Sequence, residues 1–509
     1  MRIFFPSIDS KTTPLRGLAA IVAFLAAFTV LWAFDRFLAR KMTRKAAIAA
    51  VVFLIAANSA LQGLCFYLLE VKPSWDFGAI MGASEDIAAG RAINANAWKY
   101  FQEYPYNLYP AFYIAIFRMI LGGHRYAPYI LNIISVTVSV AGACFLAYRL
   151  YGQRAAVLAA LLCMGITPLY LYIPIVYTDT LSMPFPIWTV CVCTYIHTAR
   201  PHSADKNAGK LRRHGKIKTI IFCALAGLLS AIGFLVKRVA AIGLAAFAVD
   251  WLFNRKDYNT FFMNARSVLS RAVSRVVPLA AALLVFAAAV HSAQAFLEHA
   301  GYGGIFHSDI RLPYNHWLMM GMNNINSEGG GSSGYGGFSG TDLRYTRSFK
   351  TTEMMKQANI SVIRERLGQF GTGGYASFLL KKIEWSWTDG TYYAPVKLGR
   401  NPLKRTILHK FVLFSDGRAN KLYLIFAQTV QAVVLSMIFA GCVSSAVKGS
   451  DKAFRLMTTM CLGLAFFLLF WETRSRYLVF LIPVLVVMAV KGMLRAFSGL
   501  DKALGKFIM

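Results

Sequence analysis

The chain is short of charge, and shortest of acid. Only 15% of its 509 residues are Asp, Glu, Lys or Arg, against about a quarter in an average soluble protein. Acidic residues number 23 and basic ones 54, for a net charge of +31. Its eight cysteines (Cys65, Cys144, Cys163, Cys191, Cys193, Cys223, Cys442 and Cys461) all fall inside apolar runs. None lies in a long loop, so no disulfide framework is expected. Cys191 and Cys193 would face opposite ways on a helix, and no second ligand pair follows to complete a metal site. An internal repeat and the GxxxxGK[ST] phosphate loop are also missing. No cleavable signal peptide is expected, because the apolar run from Arg16 to Leu38 is long enough to span a bilayer.

What the chain has is apolar length. It is 57% hydrophobic, and many of its runs reach the roughly 20 residues that a membrane crossing needs. The expected fold is an all-α polytopic membrane protein, with spans near 16–38, 46–69, 127–148, 155–172, 181–198, 219–236, 239–253, 276–297, 420–446, 453–471 and 477–496. In a soluble protein the basic excess would suggest nucleic acid. No basic stripe interleaved with stacking aromatics lies outside the apolar segments, so no nucleic-acid partner is expected. Lys and Arg collect instead in cytoplasmic loops beside anionic lipid.

Those loops set the orientation. Arg40, Lys41, Arg44 and Lys45 mark one, Arg149 and Arg154 the next, and residues 200–218 the most basic. Residues 255–275 and the group Lys448, Lys452 and Arg455 mark two more. They share the inner side only if 70–126 lies wholly outside. The 14-residue apolar piece from Leu108 to Leu121 is then re-entrant or interfacial. The chain divides into a transmembrane catalytic module at 1–297 with outer loop 70–126, an extracellular segment at 298–419, and C-terminal transmembrane helices at 420–509. The segment 298–419 carries a helical stretch around 350–370. It also carries a Gly-rich run at 329–337 that serves as a slack linker or as a loop ordered by ligand.

Two basic pairs break the charge rule. Lys237–Arg238 falls at an outer junction, and Arg474 and Arg476 fall in the outer turn Trp471–Tyr477. Arg offers a forked donor that suits phosphate, so all four are candidates to hold a lipid phosphate. Glu472, Tyr477, His316 and Tyr104 join them as candidate substrate contacts. The acids of interest, Asp76, Glu103, Asp179 and Glu472, all sit at outer helix ends. None is placed at mid-membrane, where a proton-coupled transporter buries them. Sugar transfer from a lipid phosphate needs a base, a cationic grip on the leaving group and an apolar groove. A carboxylate poorly solvated at an apolar boundary suits the first role, and Asp76 is the candidate. Asp179 is placed to orient an acceptor or a metal, or to cap the span beginning at 181. A divalent metal, Mg or Mn, held by Asp76, Glu103 or Asp179 stays open, since no ligand spacing demands it.

Several segments resemble a known family. They are Ser74–Gly78 with the amphipathic stretch ending at Gly90, Tyr104–Pro105–Tyr106–Asn107 and Asn315–His316–Trp317 with Gly321. Trp385 to Tyr392 and Glu472–Thr473–Arg474–Ser475–Arg476–Tyr477 complete the set. Together they are similar to the GT-C membrane glycosyltransferases, and most of all to the bacterial branch of the protein O-mannosyltransferase-like enzymes, family 39-like. The resemblance implies a GT-C-like bundle of about 11–13 transmembrane helices, with outer interfacial helices and one long extracellular segment. It implies a polyprenyl-phosphate-sugar donor, inverting transfer and an active site facing outside on the plasma membrane. It carries the catalytic-base role onto Asp76, an acceptor or metal role onto Glu103 and Asp179, and a lipid-phosphate role onto Lys237, Arg474 and Arg476. The acceptor is a cell-surface glycan, teichoic acid, lipid or protein. Two rival readings stay open: a flippase for lipid-linked sugars and a non-catalytic cell-envelope assembly protein. An acid at an outer boundary, and not in mid-span, favours the enzyme.

Overall fold

A chain this apolar must satisfy its backbone inside its own helices wherever it meets lipid. The computed structural model describes residues 14–198, 208–253, 265–324, 335–413, 415, 417–449 and 451–507. Among them the β contact is an isolated antiparallel bridge between Val71 and Pro402, and the regular structure is otherwise helical. The basic stretches 199–207 and 254–264, and residues 325–334, which include 329–334 of the predicted linker, lie outside the described residues.

In order, the helices are α1 (Pro14–Lys41), α2 (Arg44–Leu68), α3 (Trp75–Ala88), α4 (Ala95–Glu103), α5 (Leu108–Ile120), α6 (Ala127–Tyr151) and α7 (Gln153–Gly165). There follow α8 (Pro168–Leu171), α9 (Thr178–Leu181), α10 (Pro184–Thr198), α11 (Ala208–Val236), α12 (Ile242–Phe253) and α13 (Ala265–Leu297). The long segment contributes α14 (Gly303–Phe306), α15 (Tyr314–Gly321), α16 (Gly340–Arg347), α17 (Thr352–Trp387), α18 (Ala394–Leu398) and α19 (Ile407–Val412). The chain closes with α20 (Arg418–Lys448), α21 (Lys452–Phe470) and α22 (Ile482–Phe507).

Among the described residues, eight helices are long and apolar enough to cross a membrane: α1, α2, α6, α11, α13, α20, α21 and α22. The protein is thus all-α and polytopic. The three other predicted spans, at 155–172, 181–198 and 239–253, are shorter than expected. They are the helices α7, α10 and α12, of 13, 15 and 12 residues. Each is broken from a short helical piece: α8, α9 and a 3₁₀ turn at Arg238–Ala241. Pro168 and Pro184 each open a helix, where a missing N–H is harmless, and Lys237 is extended (φ −151°, ψ 112°). Irregular backbone at such depth is tolerated where it lines a polar cavity, and the break between α11 and α12 lines one, through Val236, Lys237, Arg238 and Val239. Helix α5, with 13 residues, is likewise shorter than a crossing.

The bundle is built around α22. Burial takes in 89% of its most apolar window, against 11% for α1 and 17% for α2 and α13. Close approach relies on small residues. A Cβ on Gly492 of α22 would overlap the Met437 carbonyl of α20, and one on Gly227 of α11 would overlap the Ala282 carbonyl of α13. The segment 298–419 folds back over the end of the bundle where the helices break. Leu312 N donates to Glu103 O (3.2 Å) and Thr352 N to Asp309 O (2.7 Å). The predicted helix around 350–370 extends to Trp387 as α17, turning sharply at Gly371 (φ 58°, ψ 176°). The end of the Gly-rich run is pinned, since Gly336 N donates to Asn323 O (2.7 Å) and Gly336 O accepts from Thr473 N (2.9 Å).

Candidate active site

Asp76 owes its position to a strained turn. Residues 70–72 are zipped to 401–403: Lys72 N donates to Asn401 O (2.9 Å) and Leu403 N to Glu70 O (3.0 Å). The chain then reverses through Trp75, whose φ of 47° lies in the left-handed region. For a bulky residue that costs about 1–3 kcal/mol and persists only where surroundings enforce it. They do so here. The Trp75 ring lies between Lys397 (Nζ 4.4 Å from its centroid) and Arg400 (4.6 Å). Asp76 thereby enters the first turn of α3, where free N–H groups favour a carboxylate. Tyr177 OH donates to its Oδ2 at 3.3 Å.

Asp76 opens into a cavity of about 990 Å³. Ten of the eleven residues singled out in the sequence line it: Asp76, Glu103, Tyr104, Lys237, Arg238, His316, Glu472, Arg474, Arg476 and Tyr477. The eleventh, Asp179, sits behind the wall in an ion pair with Lys237. Burial holds the Lys237 ammonium below its usual pKa, while Asp179 pulls it back up. The acid and the cations are joined through rings. The Arg476 guanidinium is 5.6 Å from the Tyr177 centroid and 5.0 Å from that of Tyr477, and Lys237 Nζ is 5.1 Å from Tyr477. Tyr477 OH in turn donates to Glu472 Oε2 at 2.9 Å. Arg474 lies over Tyr393 at 4.4 Å.

The cavity divides its charges unevenly. Glu103 is paired with Arg347 and Lys237 with Asp179. Among the described residues, no carboxylate lies within 4.0 Å of Arg238, Arg311, Lys397, Arg400, Arg474 or Arg476. The Nε atoms of Arg238, Arg474 and Arg476 are buried without a partner. Burial, then the Arg476 and Arg400 charges, lower Lys397 to about 6. Lys397 and Arg474 are buried, Arg238, Arg311 and Arg476 are half-buried and Arg400 is exposed; the poorly solvated ones call for an anion. The lining also includes apolar side chains, Leu235, Val236, Ile242, Ala245, Leu464 and Leu468.

Lys397, Arg400 and Arg311 escaped the sequence reading. All three lie in the segment 298–419, whose many basic residues give no local hint of which face the bundle. The one usable signal was proximity to the aromatic run ending at Tyr392–Tyr393. That run is itself strained: Tyr392 and Tyr393 have φ of 49° and 66°. Asp389 holds it in place. It accepts from Thr391 N (2.9 Å), Thr391 Oγ1 (2.6 Å), Tyr393 N (3.0 Å) and Ser475 Oγ (2.7 Å). This fixes the Tyr393 ring against Arg474 and ties both to the 471–477 turn.

His316 and the three acids are each held by neighbours within the protein. His316 is buried, its Nδ1 engages Thr346 Oγ1 at 2.8 Å, and burial lowers it to about 4. It is neutral at ordinary pH and supplies no charge to a phosphate. Asp76, Glu103 and Asp179 are each committed to a different partner, and among the described residues no three of His, Cys, Asp and Glu converge as a metal-binding group.

No curated protein matches the chain. Among solved structures, the archaeal oligosaccharyltransferase AglB from Archaeoglobus fulgidus, in complex with an inhibitory peptide and a dolichol-phosphate, aligns at a TM-score of 0.43 and 13% identity. The alignment covers 90% of this chain and 51% of that one, so the chain spans about half its length. A family profile described as "Conserved hypothetical integral membrane protein" matches residues 7–496, and the chain belongs to that family.

Proposed function

We propose that this protein is a membrane glycosyltransferase that moves a sugar from a polyprenyl-phosphate donor to a cell-surface acceptor. What supports this reading is the sharing of one cavity by Asp76, the arginines Arg474 and Arg476, which have no ion-pair partner among the described residues, and a set of apolar side chains. Asp76 takes the proton from the acceptor hydroxyl as the new glycosidic bond forms. The sugar–phosphate bond breaks, and its electron pair leaves on the phosphate oxygen. Arg474 and Arg476 stabilise that charge in a site shielded from bulk water. The Leu235, Ile242 and Leu464 side receives the prenyl chain. The oxygen of the acceptor attacks the face opposite the leaving phosphate, so configuration inverts. Tyr177 orients the base. Lys237, held by Asp179, and Glu103, held by Arg347, shape the pocket around the acceptor. In this reading the cavity faces the outer side of the plasma membrane.

The test is donor turnover by purified protein. Asp76→Asn should cut transfer by about 10²–10⁴-fold, the usual contribution of a general base, without changing thermal stability. Full activity in that variant would remove the assignment. Arg474→Ala should raise the donor KM by about tenfold, as expected for loss of a charged contact of about 1.5–3 kcal/mol. An unchanged KM and kcat would remove its phosphate role.

A further inference from the structure

The cations of the cavity form two groups, and only one of them faces Asp76. Lys237 is extended, so consecutive side chains point opposite ways. Lys237 turns to Asp179 and Tyr477, while Arg238 turns to Tyr106 and Tyr314. Arg238 Nη1 donates to Tyr314 OH at 2.6 Å, and Tyr314 OH donates to Tyr106 OH at 3.4 Å. Arg311 lies 5.9 Å from the Tyr106 ring. Burial pushes the Tyr106 phenol up, but the Tyr314 hydrogen bond and the Arg238 and Arg311 charges outweigh it and lower the pKa. The other group, Arg474, Arg476, Lys397 and Arg400, contacts Tyr393, Tyr177, Tyr477 and Trp75. The two groups share no ring.

Charge balance points the same way. Five arginines lining the cavity have no carboxylate within 4.0 Å among the described residues: Arg238, Arg311, Arg400, Arg474 and Arg476. Against them stand two carboxylates outside ion pairs, Asp76 and Glu472, leaving three positive charges in excess. A phosphodiester donor brings one negative charge and leaves the rest uncompensated, an arrangement that is costly in a partly buried site. Water meets the exposed Arg400, and the buried Nε atoms without a partner fall in both groups, on Arg238 in one and on Arg474 and Arg476 in the other.

We propose that the cavity holds two anions at once: the donor phosphate beside Asp76, and an anionic group of the acceptor, phosphate or carboxylate, at Arg238 and Arg311. This rests on the glycosyl-transfer reading and narrows its acceptor to an acidic one. Tyr106 and Tyr314 position the second anion by hydroxyl hydrogen bonds, and the acceptor's free hydroxyl then reaches toward Asp76.

The test uses the purified full chain in detergent and four probes. Citronellyl phosphate reports the donor group; glucose 6-phosphate, glucuronate and glucose report the acceptor group. Glucose 6-phosphate or glucuronate should bind the protein already saturated with citronellyl phosphate, and glucose should bind about tenfold or more weaker. The stronger of the two acids identifies phosphate or carboxylate. The double variant Arg238→Ala/Arg311→Ala should lose the anionic sugar by about tenfold or more and keep citronellyl phosphate within about twofold. Arg474→Ala should do the reverse. Arg238→Lys/Arg311→Lys, which keeps the charge, should retain part of the binding and shows that the alanine loss is not misfolding.

Competition between the two ligands in the wild type would mean a single anion site and would overturn the inference. So would glucose binding as tightly as its phosphate. Normal binding of citronellyl phosphate with no binding of either acidic sugar would overturn it while leaving the donor reading intact. Acidic-sugar binding that depends on Arg238 and Arg311, with no affinity for citronellyl phosphate, would uphold the outer site and remove the donor reading.

Discussion

Lys397 is the residue whose chemistry is most conditional. Its ammonium is buried against Trp75, with Arg400 and Arg476 near it and Asp76 and Asp179 opposing them more weakly, and its pKa falls to about 6. In the empty cavity at neutral pH it is mostly uncharged. A bound phosphate favours the charged form and raises that pKa. The bound state then holds more protons than the free one, so affinity rises as pH falls. The window runs from the raised pKa of the complex down to about 6, below which both states are protonated. The slope should approach about tenfold per pH unit for one proton. Calorimetry of citronellyl phosphate binding in buffers of different ionisation enthalpy reads the protons exchanged at neutral pH. The ligand's own second ionisation, at about 6, contributes to both proteins alike, so the wild type should take up more protons than Lys397→Met and show the steeper slope. A wild-type affinity flat across that window would show that Lys397 does not meet the phosphate. None of this was legible beforehand. The position of Asp76 was, because an acid at the end of an apolar run is a local feature. Lys397 gains its role only when a segment more than three hundred residues away in sequence is zipped against residues 70–72.

Elements set the geometry of the 471–477 turn, and the long α17 does so from outside the bundle. Lys382, 1% exposed, donates from Nζ to Gly321 O and Trp471 O at 2.7 Å each. It joins the end of α15 to the start of the turn that carries Glu472, Arg474 and Arg476. Glu472 N adds a bond to Trp317 O at 3.0 Å. Lys382→Met would leave two carbonyls without their donor, at a cost of about 1–3 kcal/mol each where they stay buried. The variant should melt earlier and bind citronellyl phosphate more weakly. Lys381→Met, at an exposed position, should do neither; equal behaviour of the two variants would show that the clamp is not what holds the turn. The sequence located the turn by its misplaced arginines. It hid the clamp, since a lysine in a helix of mixed polarity gives no sign that it will be buried. The predicted spans 155–172 and 181–198 ran across breaks for a similar reason. Hydropathy averages over Pro168 and Pro184, whereas the backbone responds to each; the break at Lys237 was legible as the junction of two spans.

At the scale of the whole molecule, the open question is which side of the membrane the cavity faces, and the bundle itself frames it. Helix α2 runs from Arg44 to Leu68, about 38 Å at 1.5 Å per residue. Its two ends therefore lie on opposite sides of the membrane. Arg40, Lys41, Arg44 and Lys45 crowd one end, and Asp76 with its cavity lies beyond the other. The segment 298–419 is also rich in Lys and Arg and covers the cavity end. It does not cancel the asymmetry, because the rule counts short loops near span ends, and long segments cross largely regardless of charge. The short basic loop between α1 and α2 thus outweighs the larger basic cap, and the cavity should face outside. All eight cysteines are free, and six are buried, so single reporters are readable over a low background. Glu353→Cys, at an exposed position on α17, should react with a membrane-impermeant maleimide in intact cells. Lys45→Cys, exposed at the other end of α2, should react only after permeabilisation. The reverse pattern would put the cavity on the cytoplasmic side. Citronellyl phosphate binding could then persist, but the acceptor would have to be sought among intracellular molecules and not on the cell surface.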